Sequence, residues 1–407
     1  MPDEFQDAIA AANAVRKRMK RLNIGLVTPG FSADESDWCI PALLNLVRRL
    51  AVEHDVNVYT LRYPHVDRTY SVYGARVRAL GGATGAGWQR LPLLWRAMHT
   101  IAVDNQQKPY SLLHGLWADE AGFVAALAAR RSGIPSLVSL LGGELVRLPQ
   151  IKYGVQLSHG GRFLTALSLR LANMISAGSP QLLENAARRV APQRLRLLPL
   201  GVDLAMFSPA VAPPTAPPYR IMHAASLSAV KDQATLLTAF ALACAEMTPL
   251  DLSLHVAGDG PMREALQAQA RELGVAAKVH FRGDLPHDRL PDFYRAGHLF
   301  ALSSLRESQS MVLLEAAACG LPAVGTSVGL LRELLPASCL ADPGDAPSLA
   351  RAIVAMLSDE TRRQSEARRL QSVVSRKYGL EHTIARLDAV YRELLDLTFP
   401  EATVANP

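Results

Sequence analysis

Residues 208–219 read SPAVAPPTAPPY, and five prolines in that stretch rule out a helix or a central strand there. The same pattern runs on both sides of it. Before it, apolar runs at 23–28, 56–61, 111–116, 136–141, 174–177 and 195–200 read as strands. Between them, 41–52 is an amphipathic helix with Leu43, Leu46, Val47 and Leu50 on one face, and 121–131 is another helix. After it, strands are predicted at 220–225, 252–257, 278–282, 299–303, 323–326 and 339–341. Helices are predicted at 233–246, 261–273, 290–295, 311–319 and 346–357. Such alternation predicts an α/β chain of two doubly wound, Rossmann-like domains, each a parallel sheet covered by helices on both faces. The first domain would span 19–203 and the second 220–379, with 204–219 as the hinge. A last helix, 380–398, would pack back toward the first domain. The two sheets then face a central cleft, and ligands bind outside the carboxyl ends of such strands.

The length of 407 residues also fits two domains better than one core. Four widely spaced cysteines (Cys39, Cys244, Cys319 and Cys339) show no metal-ligand spacing and predict a reducing, cytoplasmic setting. No apolar run approaches the ~20 residues of a membrane span, and the polar start carries no leader-like run. Residues 1–18 read as a disordered extension. A net charge of +6 favours anionic partners, and the block Arg16, Lys17, Arg18, Lys20 and Arg21 would suit peripheral contact with an anionic membrane or a solvated arm. Nucleic acid is not an expected partner.

Residues 305–322 carry the chemistry: LRESQSMVLLEAAACGLP. Glu307 and Glu315 stand eight positions apart, and Glu315 is the single charge in an otherwise apolar helix. A buried carboxylate needs a partner, either a nearby cation or a ligand hydroxyl. Ser308, Gln309 and Ser310 precede the helix, whose free N–H groups offer an anion site. Other marks sit in the same half. His223–Lys231 runs from a strand into a turn bearing one cation; LHVAGDGP (254–261) and Phe281-Arg282-Gly283-Asp284-Leu285 each end a strand.

In this order and spacing, these segments resemble the retaining glycosyltransferases of family 4, which have the GT-B fold. The resemblance runs almost continuously from Leu198 to about Tyr391. Leu198-Pro199-Leu200-Gly201-Val202-Asp203 with Phe207 is similar to the family's hinge motif. Ala225-Ser226-Leu227 with Lys231 resembles Gly-Arg-Leu…Lys-Gly, 256–261 the Val-Gly-x-Gly-Pro turn, and 307–322 the E-x7-E signature and its sequel.

The resemblance implies a role for each. Glu315 would accept hydrogen bonds from a donor ribose, and Lys231 would neutralise the diphosphate leaving group. Ser310, Met311 and Val312 would hold that diphosphate from the helix end. Glu307 would bind the donor sugar, and Arg282, Gly283 and Leu285 would line the base. In the first half, His114-Gly115-Leu116-Trp117-Ala118-Asp119 resembles a donor-facing loop, with His114 at a strand end. Leu141-Gly142-Gly143-Glu144 stands where relatives carry His-Gly-x-Asp/Glu, so Glu144, with Gly30 and Asp119, would contact acceptor or sugar. Lys152 and Tyr153 would reach an acceptor. Ser36 and Asp37 read as a helix cap.

Two departures stand out. The family's diphosphate arginine falls on Ser226, leaving Arg306, Arg282 or Arg332 to compensate. The usual Glu-Gly-Phe-Gly is Glu307-Ser308-Gln309-Ser310, which puts side chains where glycines face the donor. The expected activity is metal-independent retaining transfer of a sugar from a UDP- or GDP-sugar to a glycan, lipid-linked or small-molecule acceptor, with no cofactor beyond that donor substrate. A GT-B nucleotide-sugar epimerase, a phosphorylase and a non-catalytic partner subunit stay open as alternatives.

Overall fold

The computed structural model describes residues 21–82, 87–210, 214 and 217–398. The expected 1–18 extension, and the basic block except Arg21, lie outside the described residues. Arg21 pairs with Asp55 at 2.7 Å.

The first domain runs β1 (Asn23–Gly30), α1 (Pro41–Glu53), β2 (Asp55–Tyr63), β3 (Asp67–Val72), β4 (Ala75–Leu80), α2 (Leu91–Gln107), β5 (Leu112–Leu116) and α3 (Glu120–Ser132). It continues with β6 (Ser136–Leu140), α4 (His159–Leu171), β7 (Met174–Ala177), α5 (Pro180–Ala187) and β8 (Leu195–Leu197). The sheet order is β3-β4-β2-β1-β5-β6-β7-β8. Only β3, the edge strand, is antiparallel to its neighbour. The inner strands β5, β6 and β7 are buried throughout, which is why they read as unbroken apolar runs.

The second domain runs β9 (Tyr219–Ala224), α6 (Gln233–Glu246), β10 (Leu252–Ala257), α7 (Arg263–Glu272), β11 (Val279–Gly283), α8 (Leu290–Arg295) and β12 (Leu299–Leu302). Then come α9 (Met311–Ala318), β13 (Ala323–Thr326), α10 (Leu331–Leu334), β14 (Leu340–Ala341), α11 (Ala346–Ser358), α12 (Glu360–Lys377) and α13 (Leu380–Thr398). Its sheet order is β11-β10-β9-β12-β13-β14, parallel throughout. The order reverses between β9 and β12, so the loops after these two neighbouring strands diverge and leave a crevice between them. Lys231 follows β9 and Glu307 follows β12.

Helix α13 belongs by packing to the first domain. Leu380, Ile384, Leu387, Tyr391 and Leu394 are buried in the same core as Leu26, Leu46 and Val47. Burying each such side chain is worth about 1.5–3 kcal/mol. The chain thus crosses between the domains twice, side by side: Val202 N–H donates to Tyr378 O at 2.8 Å and Leu380 N–H to Val202 O at 2.8 Å. The approach is close enough that a Cβ on Gly201 would sit 2.4 Å from the Gly379 carbonyl oxygen.

Candidate active site

A cavity of about 330 Å³ lies between the two domains. Lys231, Arg306, Glu307 and the segment Ser308 to Val312 line it from the second domain, and Leu141, Gly142, Tyr153 and Leu200 from the first. Lys231 Nζ donates to Glu307 Oε1 at 2.6 Å, and Ser304 Oγ donates to the same oxygen at 2.7 Å. The Lys231 side chain is 23% exposed and that of Glu307 8%, so the cation reaches the cavity while the carboxylate is sheltered. Both loops are pinned at their backbones, since Leu305 N–H donates to Val230 O at 2.9 Å and Ser303 Oγ to Lys231 O at 3.0 Å. Of the three arginines weighed as replacements for the missing cation at Ser226, Arg306 lines this cavity.

Helix α9 points its first turn at the same space. Ser310, its N-cap residue, has φ of +76°, a left-handed conformation that costs a side-chain-bearing residue and suits glycine. Its hydroxyl is buried without a protein partner, and no side chain caps the helix. The first amides of the helix are therefore left without a side-chain acceptor beside a cavity that already holds Lys231 and Arg306.

The side chains that stand where the family has glycine and phenylalanine reach across the cleft. Ser308 Oγ donates to Leu141 O at 2.7 Å. The Gln309 carboxamide pairs with both backbone groups of Leu200, accepting from its N–H at 2.8 Å and donating to its carbonyl. Gly178 makes room for it: a Cβ there would lie 2.4 Å from Gln309 Oε1. Sequence reasoning placed the side chains of Ser308 and Ser310 as narrowing the donor pocket and missed the role of Ser308 and Gln309 across the cleft, because the partners lie more than 100 residues away.

Glu315 lies one helical turn beyond Met311, outside the residues that line the cavity. Its two oxygens accept from His287 Nε2 at 3.0 Å and Tyr294 Oη at 3.1 Å. Its protein partners are a histidine and a tyrosine, not a Lys or Arg, and no local sequence signal marks either of them. Burial and the adjacent carboxylate push the Tyr294 hydroxyl far up from its ordinary pKa, so it stays a donor. Trp38 of the first domain packs on His287 with ring centroids 4.9 Å apart. Arg282, Gly283 and Leu285 sit at the end of edge strand β11. The Arg282 guanidinium is turned to His255 Nδ1 at 3.1 Å, and Gly283 O accepts from Gly258 N–H at 2.7 Å. Ser226 is exposed, its hydroxyl 3.4 Å from Ser228 Oγ. None of these residues lines the cavity.

His114 corrects the sequence reading. It lies inside β5, not at its end, and is 2% exposed. Its ring bonds Tyr391 Oη at 2.8 Å and Ser139 Oγ at 2.7 Å, and burial lowers its pKa to about 3. It is a neutral core residue tying α13 to the first sheet, because strand β5 is covered on both faces.

Glu144 is also buried, with no exposed surface. It accepts from the N–H groups of Leu141 at 2.9 Å and Gly142 at 2.7 Å. It thus shapes the turn that walls the cavity instead of reaching into it. Burial pushes its pKa up. Asp119 caps α3 through Ala121 N–H at 3.2 Å, and burial, then the nearby Glu144, raises its pKa to about 7. Gly30 packs against Tyr63, where a Cβ would lie 3.3 Å from Tyr63 Cβ. None of the three lines the cavity. Asp37 is not a helix cap: its Oδ2 accepts from Ala33 N–H at 2.7 Å and Tyr63 Oη at 2.9 Å. Tyr153 does line the cavity. Among the described residues, no three His, Cys, Asp or Glu side chains converge as metal ligands. Nor is any helix long and apolar enough to cross a membrane.

Two family profiles match the chain, one per domain. "Glycosyl transferases group 1" covers residues 218–359 and "Glycosyl transferase 4-like domain" covers 40–201. A phosphatidylinositol N-acetylglucosaminyltransferase component of Arabidopsis thaliana is 33% identical over 43% of this chain, which spans only 39% of that relative's length. The D-inositol 3-phosphate glycosyltransferase of Thermobispora bispora is 29% identical over 63% of this chain and 69% of its own length. The structure of Anabaena HepE, solved with UDP and glucose, superposes with a TM-score of 0.71 at 18% identity, covering 92% of this chain and 100% of that one. At that identity the likeness speaks for the fold alone.

Proposed function

This chain belongs to the group 1 glycosyltransferases of family 4, with the GT-B fold, and we propose that it transfers a sugar from a nucleotide-diphosphate sugar with retention of anomeric configuration. The observation that carries this reading is the cavity at the sheet reversal, where Lys231, Arg306 and the start of α9 meet. A diphosphate leaving group develops charge as the glycosidic bond breaks. Preorganised cations and amides in a partly enclosed site stabilise that charge most as it forms. Lys231 acts as a point charge on the diphosphate, and Arg306 supplies the cation that Ser226 does not. These two cations balance the diphosphate without a metal.

Glu307 is held by Lys231 and Ser304 and turns its remaining lone pairs to the donor sugar. Glu315, oriented by His287 and Tyr294, keeps lone pairs for the ribose diol. No side chain in the cavity is placed as a nucleophile on the reacting carbon. Positioning and leaving-group stabilisation therefore supply the rate, with acceptor attack on the face the diphosphate leaves. Leu141, Gly142 and Tyr153 form the first-domain wall on which an acceptor would rest. The four cysteines are free, which suits the reducing cytoplasm.

UDP bound in the HepE structure and the inositol phosphate in the name of the Thermobispora relative suggest a uridine donor and a polyol acceptor as first candidates. A thermal-shift panel of UDP-, GDP- and ADP-sugars tests the donor. One sugar nucleotide should raise the melting temperature by mass action, and NMR of the product should show the donor's anomeric configuration kept. No stabilisation by any of them, or an inverted product, would overturn the reading.

A further inference from the structure

A second cavity of about 250 Å³ lies beside the first and is lined by Arg147, Arg188, Arg189 and Arg306, with Asn185 and Leu148. Arg306 lines both cavities. No acidic residue lines the second one, and among the described residues none of the four guanidinium groups has a hydrogen-bond or ion-pair partner. Elsewhere on this molecule arginines are commonly paired, as Arg48 is with Asp203 and Arg49 with Glu381. Arg188 and Arg189 alone would be ordinary, because they follow the end of α5 and complement its dipole. Arg147 and Arg306 come from other loops, however, and the dipole of α5 does not account for them. Four unneutralised like charges around one concavity repel each other, and a bound anion relieves that repulsion. Guanidinium forks match the oxygens of a phosphate two at a time.

We propose that this cavity is an acceptor subsite for a phosphomonoester. The inference rests on the transferase reading and names the acceptor's class. Arg306 immediately precedes Glu307. A phosphate held at Arg147, Arg188 and Arg189 therefore places the rest of its molecule toward Arg306 and the donor cavity, where the acceptor hydroxyl must arrive. The phosphate could belong to a soluble polyol phosphate or to a phospholipid headgroup; the recognising chemistry is the same.

The test compares the full chain with the triple variant Arg147→Ala/Arg188→Ala/Arg189→Ala, whose altered side chains are all exposed. Calorimetry measures inositol monophosphate against inositol, in the presence of the nucleoside diphosphate selected by the donor panel. Co-sedimentation measures vesicles of phosphatidylcholine with and without phosphatidic acid. The soluble source predicts binding of inositol monophosphate but not inositol, weakened roughly tenfold or more in the variant. The lipid source predicts retention on phosphatidic acid vesicles alone, lost to the same degree. In both cases nucleotide binding and melting temperature stay unchanged. The double variant Arg188→Gln/Arg189→Gln gives the same readout should the triple variant fold poorly. If neither probe depends on these arginines while the nucleotide still binds, the subsite is refuted and the transferase reading stands. If no nucleotide binds the wild-type chain, it is the transferase reading that fails.

Discussion

Asp119 and Glu144 show how a residue in the wrong place for direct chemistry can still govern a site. Glu144 spends its carboxylate on the amides of Leu141 and Gly142, and Asp119 lies in its field. With its folded pKa raised to about 7 from an ordinary value of 3.8, Asp119 binds its proton more tightly in the folded state. Its contribution to stability is therefore full below pH 4 and is lost as pH rises toward and through about 7. Asp119→Asn keeps the helix cap and removes the titration. The melting temperature of the wild type should fall more than that of the variant between pH 5 and pH 8, measured in parallel by calorimetry. Equal slopes would mean that Asp119 titrates normally. At this scale the sequence marked the right residue types but not their directions. His114 and Glu144 both sit on or after strands covered on two faces, and burial there depends on α13 and on turns distant in sequence.

The segment from Glu307 to Ala318 is the element on which the site depends. Its motif was legible because its parts are local: a carboxylate, a short polar turn, a helix with one charge. What the turn's side chains do was not legible, since Gln309 is satisfied by Leu200 and accommodated by Gly178, both in the other domain. Gln309→Leu fills the space yet leaves the Leu200 N–H and C=O without partners. It should cost about 1–3 kcal/mol of stability, read from urea denaturation. A loss within a few tenths of a kcal/mol of zero would mean that the crossing is not made by this side chain. Other elements escaped the reading for the opposite reason. Strand β3 (DRTYSV) is an exposed edge, and α12 (ETRRQSEARRLQSVVSRK) is mostly charged, so neither shows the apolar periodicity that betrays a buried element. Apart from β4, which the sequence reading missed, the inner strands and α6, α8 and α9 lie within a residue or two of their predicted bounds, because burial imposes that pattern on them.

For the whole molecule, the division of labour follows from two sheets that face each other. The second domain supplies Lys231, Arg306, Glu307 and the start of α9; the first supplies a wall and, through α13 and the paired crossings at Val202 and Gly379, a fixed hinge line. Ser308–Leu141, Gln309–Leu200, Gln181–Gly329 and Trp38–His287 join the domains around the cavity. The central claim is that this cavity grips the diphosphate of a nucleotide donor through Lys231. Calorimetric titration of the wild type and Lys231→Ala with the matching nucleoside diphosphate and its bare nucleoside tests that claim most directly. Removing a charged hydrogen bond should weaken the diphosphate by roughly tenfold to a hundredfold while leaving the nucleoside's affinity unchanged. Equal diphosphate affinity in the two proteins would contradict the account.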